Sequence, residues 1–149
     1  MIPEFNEDGY LPPGIYEASF EEVKNRFGFS RKRQKLLQGM SFLLEQCRIL
    51  HCDILYLDGS FVTKKLNPSD YDACWDTTAE NREQVLNNVL ESLLESNSEV
   101  QKEYFGGEIY SAFSKAILLP ELTILEYFQK TKQYEHKGIV KIKLQASRL

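Results

Sequence analysis

The sequence has few of the residues that would cross-link a protein, anchor it in a membrane or direct it for export. It holds three cysteines among 149 residues, and their odd number and lack of Cys-x-x-Cys spacing argue against a disulfide framework or a zinc site. No apolar run approaches the length of a membrane span, and residues 1–7 lack the regions of a signal peptide. These absences predict a cytoplasmic protein with reduced thiols, Cys47 and Cys74 being buried, and no membrane partner.

The sequence also lacks an excess of basic residues. Its 18 lysines and arginines are outnumbered by 22 aspartates and glutamates, for a net charge of -4, which argues against a surface built mainly to bind nucleic acid. Arg31, Lys32, Arg33 and Lys35 form the one basic cluster, and we interpret it as an exposed helix face. A chain of this length fits one domain over residues 1–149.

The pattern of apolar residues predicts alternating helices and strands. Proline and glycine at five positions of residues 1–16 predict an extended N-terminal arm that packs on the domain. In chain order we expect helices over 19–28 and 30–50, strands over 54–57 and 70–75, a helix over 77–97, a strand over 103–113, a helix from 120 and a strand over 137–144. This order predicts an α/β or α+β fold with a mixed sheet of about four strands and helices packed on it.

Individual residues predict where some of these elements begin and end, and which face of the last strand is buried. Ser19, Ser30 and Thr77 have the chemistry of helix N-caps. Gly59 ends the first predicted strand. In the final strand Val140 and Ile142 alternate with lysines, which predicts one buried face and one solvated face.

The strongest chemical signal is a pair of aspartates. Asp70 and Asp72 lie two positions apart on a predicted strand, so both side chains point to the same face. Two carboxylates directed at one point repel each other unless a cation lies between them. Mg²⁺ prefers such oxygen ligands and takes the rest of its shell from water and phosphate. An isolated Asp-x-Asp also occurs as two solvated acids at a strand end.

A Gly-Ser pair follows the preceding strand. Gly59 has no side chain to block an approaching phosphate, and the Ser60 hydroxyl is a donor to it. Lys64 and Lys65 lie in the loop beyond Ser60. Two interpretations are open for them: they bind the triphosphate, or they are ordinary solvent-exposed lysines of a loop. A phosphate-binding turn beside a carboxylate pair is the arrangement that activates a nucleoside triphosphate.

The combination Gly59-Ser60 and Asp70-Tyr71-Asp72 resembles the signature of the polymerase-beta-type nucleotidyltransferase superfamily. The resemblance implies a nucleotidyltransferase-like fold, Mg²⁺ and a nucleoside triphosphate, with ATP as the expected nucleotide. It assigns metal binding to the two aspartates and phosphate binding to Ser60. The superfamily usually adds a third carboxylate on a later strand, which completes the metal site and activates the acceptor hydroxyl. Glu108 matches that position best, and Glu103 is its rival.

The chain is also similar, over nearly its whole length, to a bacterial branch of that superfamily. The similar stretches are Ile-Pro-x-Phe-Asn at residues 2–6, Gly-Ser-Phe-Val-Thr at residues 59–63 and Lys-Gly-Ile-Val at residues 137–140. This second resemblance implies no particular activity.

Three hypotheses about function follow. The first is an enzyme that transfers a nucleotidyl group from a nucleoside triphosphate to an unknown acceptor, in which Asp70, Asp72 and Glu108 are catalytic and bind the metal, and Gly59, Ser60 and Lys64 bind the nucleotide. Nucleic acid is not excluded as the acceptor, and a protein partner would supply acceptor recognition because we expect no helical acceptor domain in 149 residues. The second is a non-catalytic nucleotide- or protein-binding module of the same fold, as part of a toxin–antitoxin or defence system. The third is a domain whose acids are merely structural.

Overall fold

A five-stranded mixed sheet forms the centre of the computed structural model, which describes residues 1–78 and 80–144. The strands lie in the order β1-β5-β2-β3-β4. Parallel pairing joins β1 to β5 and β3 to β4, whereas β2 pairs antiparallel with both of its neighbours. The strands are β1 (Gly14–Ala18), β2 (Ile54–Asp58), β3 (Tyr71–Asp76), β4 (Gly107–Ser111) and β5 (Gly138–Lys143). The predicted mixed α and β class, with helices packed on a mixed sheet, is confirmed.

The sheet has one strand more than expected because the end of the N-terminal arm joins it. Residues 14–16, predicted as part of that arm, belong to β1, which pairs with β5 in the register Gly14 with Gly138. Pro12 and Pro13 come directly before the strand. Proline is tolerated at the start of an edge strand but obscures the strand pattern in the sequence.

Two N-terminal helices, α1 (Phe20–Phe27) and α2 (Arg31–Ile49), begin and end close to their predicted bounds. The Ser19 hydroxyl accepts from the Glu22 amide, and the Ser30 hydroxyl accepts from the Arg33 amide, so both predicted caps are confirmed. Three shorter helices follow, together with 3₁₀ turns at Ser60–Val62 and Leu93–Glu95: α3 (Arg82–Val89), α4 (Ser98–Phe105) and α5 (Ile124–Phe128). None of the helices in the described part of the chain is long and apolar enough to cross a membrane.

The long helix predicted over residues 77–97 is wrong. Thr77 does not cap a helix; its hydroxyl lies 3.5 Å from the carbonyl of His51 instead. The helix in this region, α3, ends at Val89, and Ser92 then accepts from the Leu94 amide to start a 3₁₀ turn. Side-chain caps inside the stretch therefore divide it into short pieces, which apolar periodicity alone does not reveal.

The strand predicted over residues 103–113 is wrong in its first third. Asn97 caps α4, which runs to Phe105, and Gly106 ends it in the left-handed conformation at φ 81° before β4 begins. Glu103 is therefore exposed on a helix. The last helix also starts later than the predicted Pro120, because Thr123 and Glu126 form the capping box that opens α5.

Apolar clusters cover both faces of the sheet. The larger cluster joins α1, α2 and α4 to one face, where Leu55, Leu57 and Trp75 are fully buried. The smaller cluster lies on the opposite face and includes Cys74 and Ile139. The alternation predicted along β5 is confirmed from Val140 onward, because Val140 and Ile142 are buried in the larger cluster while Lys143, on the opposite face, is exposed.

A close helix contact accounts for the glycine inside α2. A Cβ on Gly39 would lie 2.1 Å from the carbonyl oxygen of Phe105, in α4. Since real Cβ contacts are never that short, the two helices pack this closely only with glycine at the position.

Candidate functional site

Three carboxylates form a row across one end of strands β2, β3 and β4. Asp72 on β3 is paired with Asp58 on β2 and with Glu108 on β4. Residues paired in register point to the same face, and neighbouring strands are about 4.8 Å apart. Asp70 was predicted to be the first residue of this strand, but β3 begins one residue later, at Tyr71. Asp58 was not predicted as a site residue.

The row ends in a pocket of about 620 Å³ at the end of β2 and β3. Of the predicted site residues, all but Glu108 line this pocket. The segment after α5 and the N-terminal arm supply the opposite walls. The lining residues are Asp8, Gly9, Tyr10, Asp58, Gly59, Ser60, Thr63, Lys64, Lys65, Asp70, Asp72, Tyr127, Lys130, Thr131, Lys132 and Lys137.

Gly59 brings the backbone of the turn against a carboxylate. Its φ of 83° is one that residues with a side chain rarely adopt. A Cβ at this position would lie 2.9 Å from Oδ2 of Asp72 and 3.2 Å from the Asp72 amide nitrogen. The turn therefore requires glycine for its conformation and for the space beside Asp72.

A fully buried arginine organises the loop that follows Ser60. Arg33 on α2 is 0% exposed, so its prediction as part of an exposed helix face is wrong. No carboxylate of the described residues pairs with it, and its guanidinium stacks 4.0 Å from the centre of the Phe29 ring. It donates hydrogen bonds of 2.6–3.3 Å to the carbonyl oxygens of Phe27, Ser60, Phe61, Thr63 and Lys65.

These hydrogen bonds fix the shape of the pocket wall. A guanidinium has five N–H donors in a rigid fork, and here most of them bind the loop carbonyls between Ser60 and Lys65. Burial lowers the pKa of Arg33 to about 10, so it stays charged at neutral pH. The loop is therefore held from inside the protein, and its other side faces the pocket.

The N-terminal arm forms another wall, and its predicted packing on the domain is confirmed. The Asn6 side chain accepts from the amides of Asp8 and Tyr10, each at 3.0 Å, and makes the arm turn. The Lys64 amide then donates to the carbonyl of Gly9 at 3.0 Å. This bond holds Asp8 and Tyr10 beside the loop that carries Lys64.

Two lysines neutralise most of the carboxylates. Lys137 Nζ lies 2.7 Å from Oδ1 of Asp58. Lys102 Nζ lies 2.9 Å from Glu108 and 3.5 Å from Asp70, so those two acids share one cation. The Tyr110 hydroxyl also donates to Glu108. Both oxygens of the Glu108 carboxylate therefore already have a partner, Lys102 for one and Tyr110 for the other.

Asp72 is the carboxylate with the least compensation. Burial raises its pKa from an ordinary 3.8 to about 7, with further contributions from Asp58, Asp70 and Glu108, and only Lys137 acts in the opposite direction. Hydrogen bonds from Tyr110 and Lys102 lower the pKa of Glu108 instead. The pocket therefore holds negative charge that an added cation would stabilise.

The donor chemistry around Asp72 fits a magnesium ion that is shared with phosphates. Within residues 1–78 and 80–144, no three His, Cys, Asp or Glu side chains are placed to hold one metal ion together. Mg²⁺ is commonly bound by only one or two protein carboxylates, with water and substrate phosphates completing its shell. Asp70 and Asp72, both lining the pocket, meet that requirement.

Several pocket residues were missed because their signals are weak in the sequence. Asp58 is a single acid at the end of an apolar strand, next to Gly59, and that adjacency was the available clue. Lys130, Lys132 and Lys137 are surface-type residues in a loop, and only the pairing of β5 with β2 brings that loop to the pocket.

The chain belongs to a family described as "Family of unknown function (DUF6932)", whose model matches residues 3–143. The matched range includes every residue that lines the pocket. No curated protein and no solved structure matches the chain.

Proposed function

We propose that this chain has a nucleotidyltransferase-like fold, binds a magnesium nucleoside triphosphate in the pocket and transfers its nucleotidyl group to an acceptor hydroxyl. ATP is the expected nucleotide. The observation that carries the proposal is the contact between the Gly59 turn and the Asp72 carboxylate inside a lysine-lined pocket. This contact joins an anion-binding turn to a cation-binding acid, which is what a metal–triphosphate complex requires.

In this proposal Asp70 and Asp72 hold Mg²⁺, which supplies charge neutralisation for the phosphates. Gly59 allows the triphosphate to approach the backbone, and the Ser60 hydroxyl donates to it. Lys64 adds a flexible positive charge from the same loop. The carbonyl contacts of Arg33 keep this loop in place before the nucleotide arrives.

The reaction forms a bond between the acceptor oxygen and the α-phosphorus and breaks the bond from that phosphorus to the pyrophosphate oxygen. Pyrophosphate leaves with the electron pair, and the acceptor proton passes to a base. Glu108 is the proposed base. That role requires Lys102 and Tyr110 to release its carboxylate, since both contact it in the structure.

Transfer of label to a component of a cell extract tests the proposal. The purified protein is incubated with Mg²⁺, extract and nucleoside triphosphates labelled on the α-phosphate. We expect a labelled product that Asp70→Asn and Asp72→Asn abolish. Asp76→Asn, on the same strand but outside the pocket lining, is the matched control and should retain transfer. Transfer that survives both pocket substitutions would refute the assignment.

The engagement of Glu108 favours a second candidate, a module that binds a nucleotide or a protein without turnover, as in a toxin–antitoxin or defence system. In that case Lys102 and Tyr110 keep Glu108 permanently out of the reaction. Calorimetric titration with ATP and Mg²⁺ separates the two candidates. Binding with no labelled product supports the module, and binding with product supports the enzyme.

For either candidate we propose the cytoplasm as the location. Cys47, Cys52 and Cys74 are buried and unbridged, and thiols stay reduced in that compartment. A protein partner would supply acceptor recognition, and nucleic acid is retained among the acceptors to be tested.

A further inference from the structure

The ion pair between Lys137 and Asp58 is the most enclosed charged contact of the described residues. The two side chains are only 10% and 9% exposed, and Nζ lies 2.7 Å from Oδ1. Both residues line the pocket. Lys137 directly precedes β5, and the pairing of Leu57 with Val140 brings that end of β5 beside the Gly59-Ser60 turn.

Removing both charges from water carries a desolvation cost that the attraction between them often does not repay. The lysine nevertheless lies beside the row of acids and acts on two of them. Asp58 is the register partner of Asp72, and the charge of Lys137 favours the ionised form of both acids. Lys102, the other lysine near the row, is committed to Asp70 and Glu108.

An ammonium and a divalent cation repel each other when both lie against one row of carboxylates. A lysine side chain is flexible, however, and its ammonium is a good partner for phosphate oxygens. Lys137 therefore has two favourable positions. It contacts Asp58 when the pocket holds no phosphate, and it can turn to a phosphate when one enters.

We propose that Lys137 is a resident cation that opposes metal binding to the pocket until a nucleoside triphosphate enters and takes over its charge. This inference rests on the proposed function, and it identifies Lys137 as a positioning residue that couples metal binding to nucleotide binding. Divalent metal alone then binds weakly. Metal and triphosphate each strengthen binding of the other, by the same factor.

The test measures binding of Mn²⁺, as a spectroscopic substitute for Mg²⁺, by electron paramagnetic resonance with and without ATP. For Lys137→Met we expect Mn²⁺ alone to bind about tenfold tighter or more, a factor that corresponds to about 1.4 kcal/mol. ATP should bind more weakly, and the coupling between the two ligands should shrink. Lys143→Met is the matched control, because Lys143 is the last residue of the strand that Lys137 precedes and pairs with exposed Glu17 instead.

Asp58→Asn gives the opposite prediction and separates coupling from a merely structural role. It leaves Lys137 without its carboxylate, so Mn²⁺ alone should bind more weakly and ATP alone more tightly than to the wild type. A structural ion pair would shift both variants in the same direction, since each leaves one buried charge unpaired. Shifts in the same direction would overturn the inference.

Unchanged Mn²⁺ affinity in Lys137→Met, or no Mn²⁺ binding by any variant, would also overturn it. If Lys137→Met does not fold, Lys137→Gln replaces it, and the ATP affinity of Asp58→Asn decides independently. Failure of the proposed function looks different. In that case the wild type binds no nucleoside triphosphate, while Mn²⁺ binding by Lys137→Met still reports whether Lys137 opposes the metal.

Discussion

Replacing Asp72 by asparagine should make the protein more stable while removing its proposed activity. Asp72 is buried in the acid row, and its pKa rises from an ordinary 3.8 to about 7 in the folded protein. An ionised Asp72 therefore opposes folding. Asparagine has nearly the same shape and carries no charge, so Asp72→Asn removes the opposition and keeps the packing.

The size of the effect depends on pH. Below about pH 4 the carboxyl is protonated in the folded and unfolded states, and the penalty is absent. Between about pH 4 and pH 7 the folded state binds the extra proton, so stability falls as pH rises. At about 1.36 kcal/mol per pKa unit, the full shift is worth about 4 kcal/mol above pH 7 and about 2 kcal/mol near pH 5.

Denaturant unfolding of the wild type and Asp72→Asn, at about pH 5 and about pH 8.5, measures this difference. We expect the variant to gain more stability at the higher pH, with an unchanged m-value. Asp76→Asn is the control, because Asp76 is on the same strand but lies 3.7 Å from Arg82. An equal gain at both pH values, or a loss of stability above pH 7, would refute the reasoning.

Three further substitutions test parts of the fold that support the pocket. Gly59→Ala should lower the free energy of unfolding by about 1–3 kcal/mol, because of its positive φ and the contact with Asp72, and chemical denaturation measures this loss. Arg33→Met should cost about 3 kcal/mol or more in the same assay, since loop carbonyls lose their donor, whereas exposed Lys35→Met should change stability little. Thr123→Ala should cost about 1 kcal/mol by loss of the α5 cap, seen as a lower melting temperature.

The sequence was most informative where structure depends on nearby residues. Ser19 and Ser30 cap helices as predicted because a cap is a bond between residues three positions apart. Gly59, Asp70 and Asp72 meet in one pocket because Gly59 directly follows β2, Asp70 directly precedes β3, and the antiparallel pairing of these strands brings Asp58 opposite Asp72. Their roles in binding and catalysis stay predictions.

The sequence was least informative where the decisive contact joins distant segments. The sequence predicts Arg33 as a surface residue because its acceptors are carbonyls of a loop far along the chain, and carbonyls leave no signature in the sequence. Lys137 meets Asp58 only through the pairing of β5 with β2. Glu103 and Glu108 were both candidates for the third carboxylate. Gly106 separates them, because its left-handed conformation ends the helix that carries Glu103 before the strand that carries Glu108 begins.

The pocket wall made by the N-terminal arm has a consequence for the order of folding. Tyr10 lies near the start of the chain, whereas Lys137 lies near its end, and its Nζ is 5.9 Å from the centre of the Tyr10 ring. The parallel pairing of β1 with β5 joins the same two regions. Joining such distant segments carries a loop-closure entropy cost, which slows folding. A growing chain therefore has no complete pocket until Lys137 has been synthesised, and ligand binding reports that β1 has paired with β5.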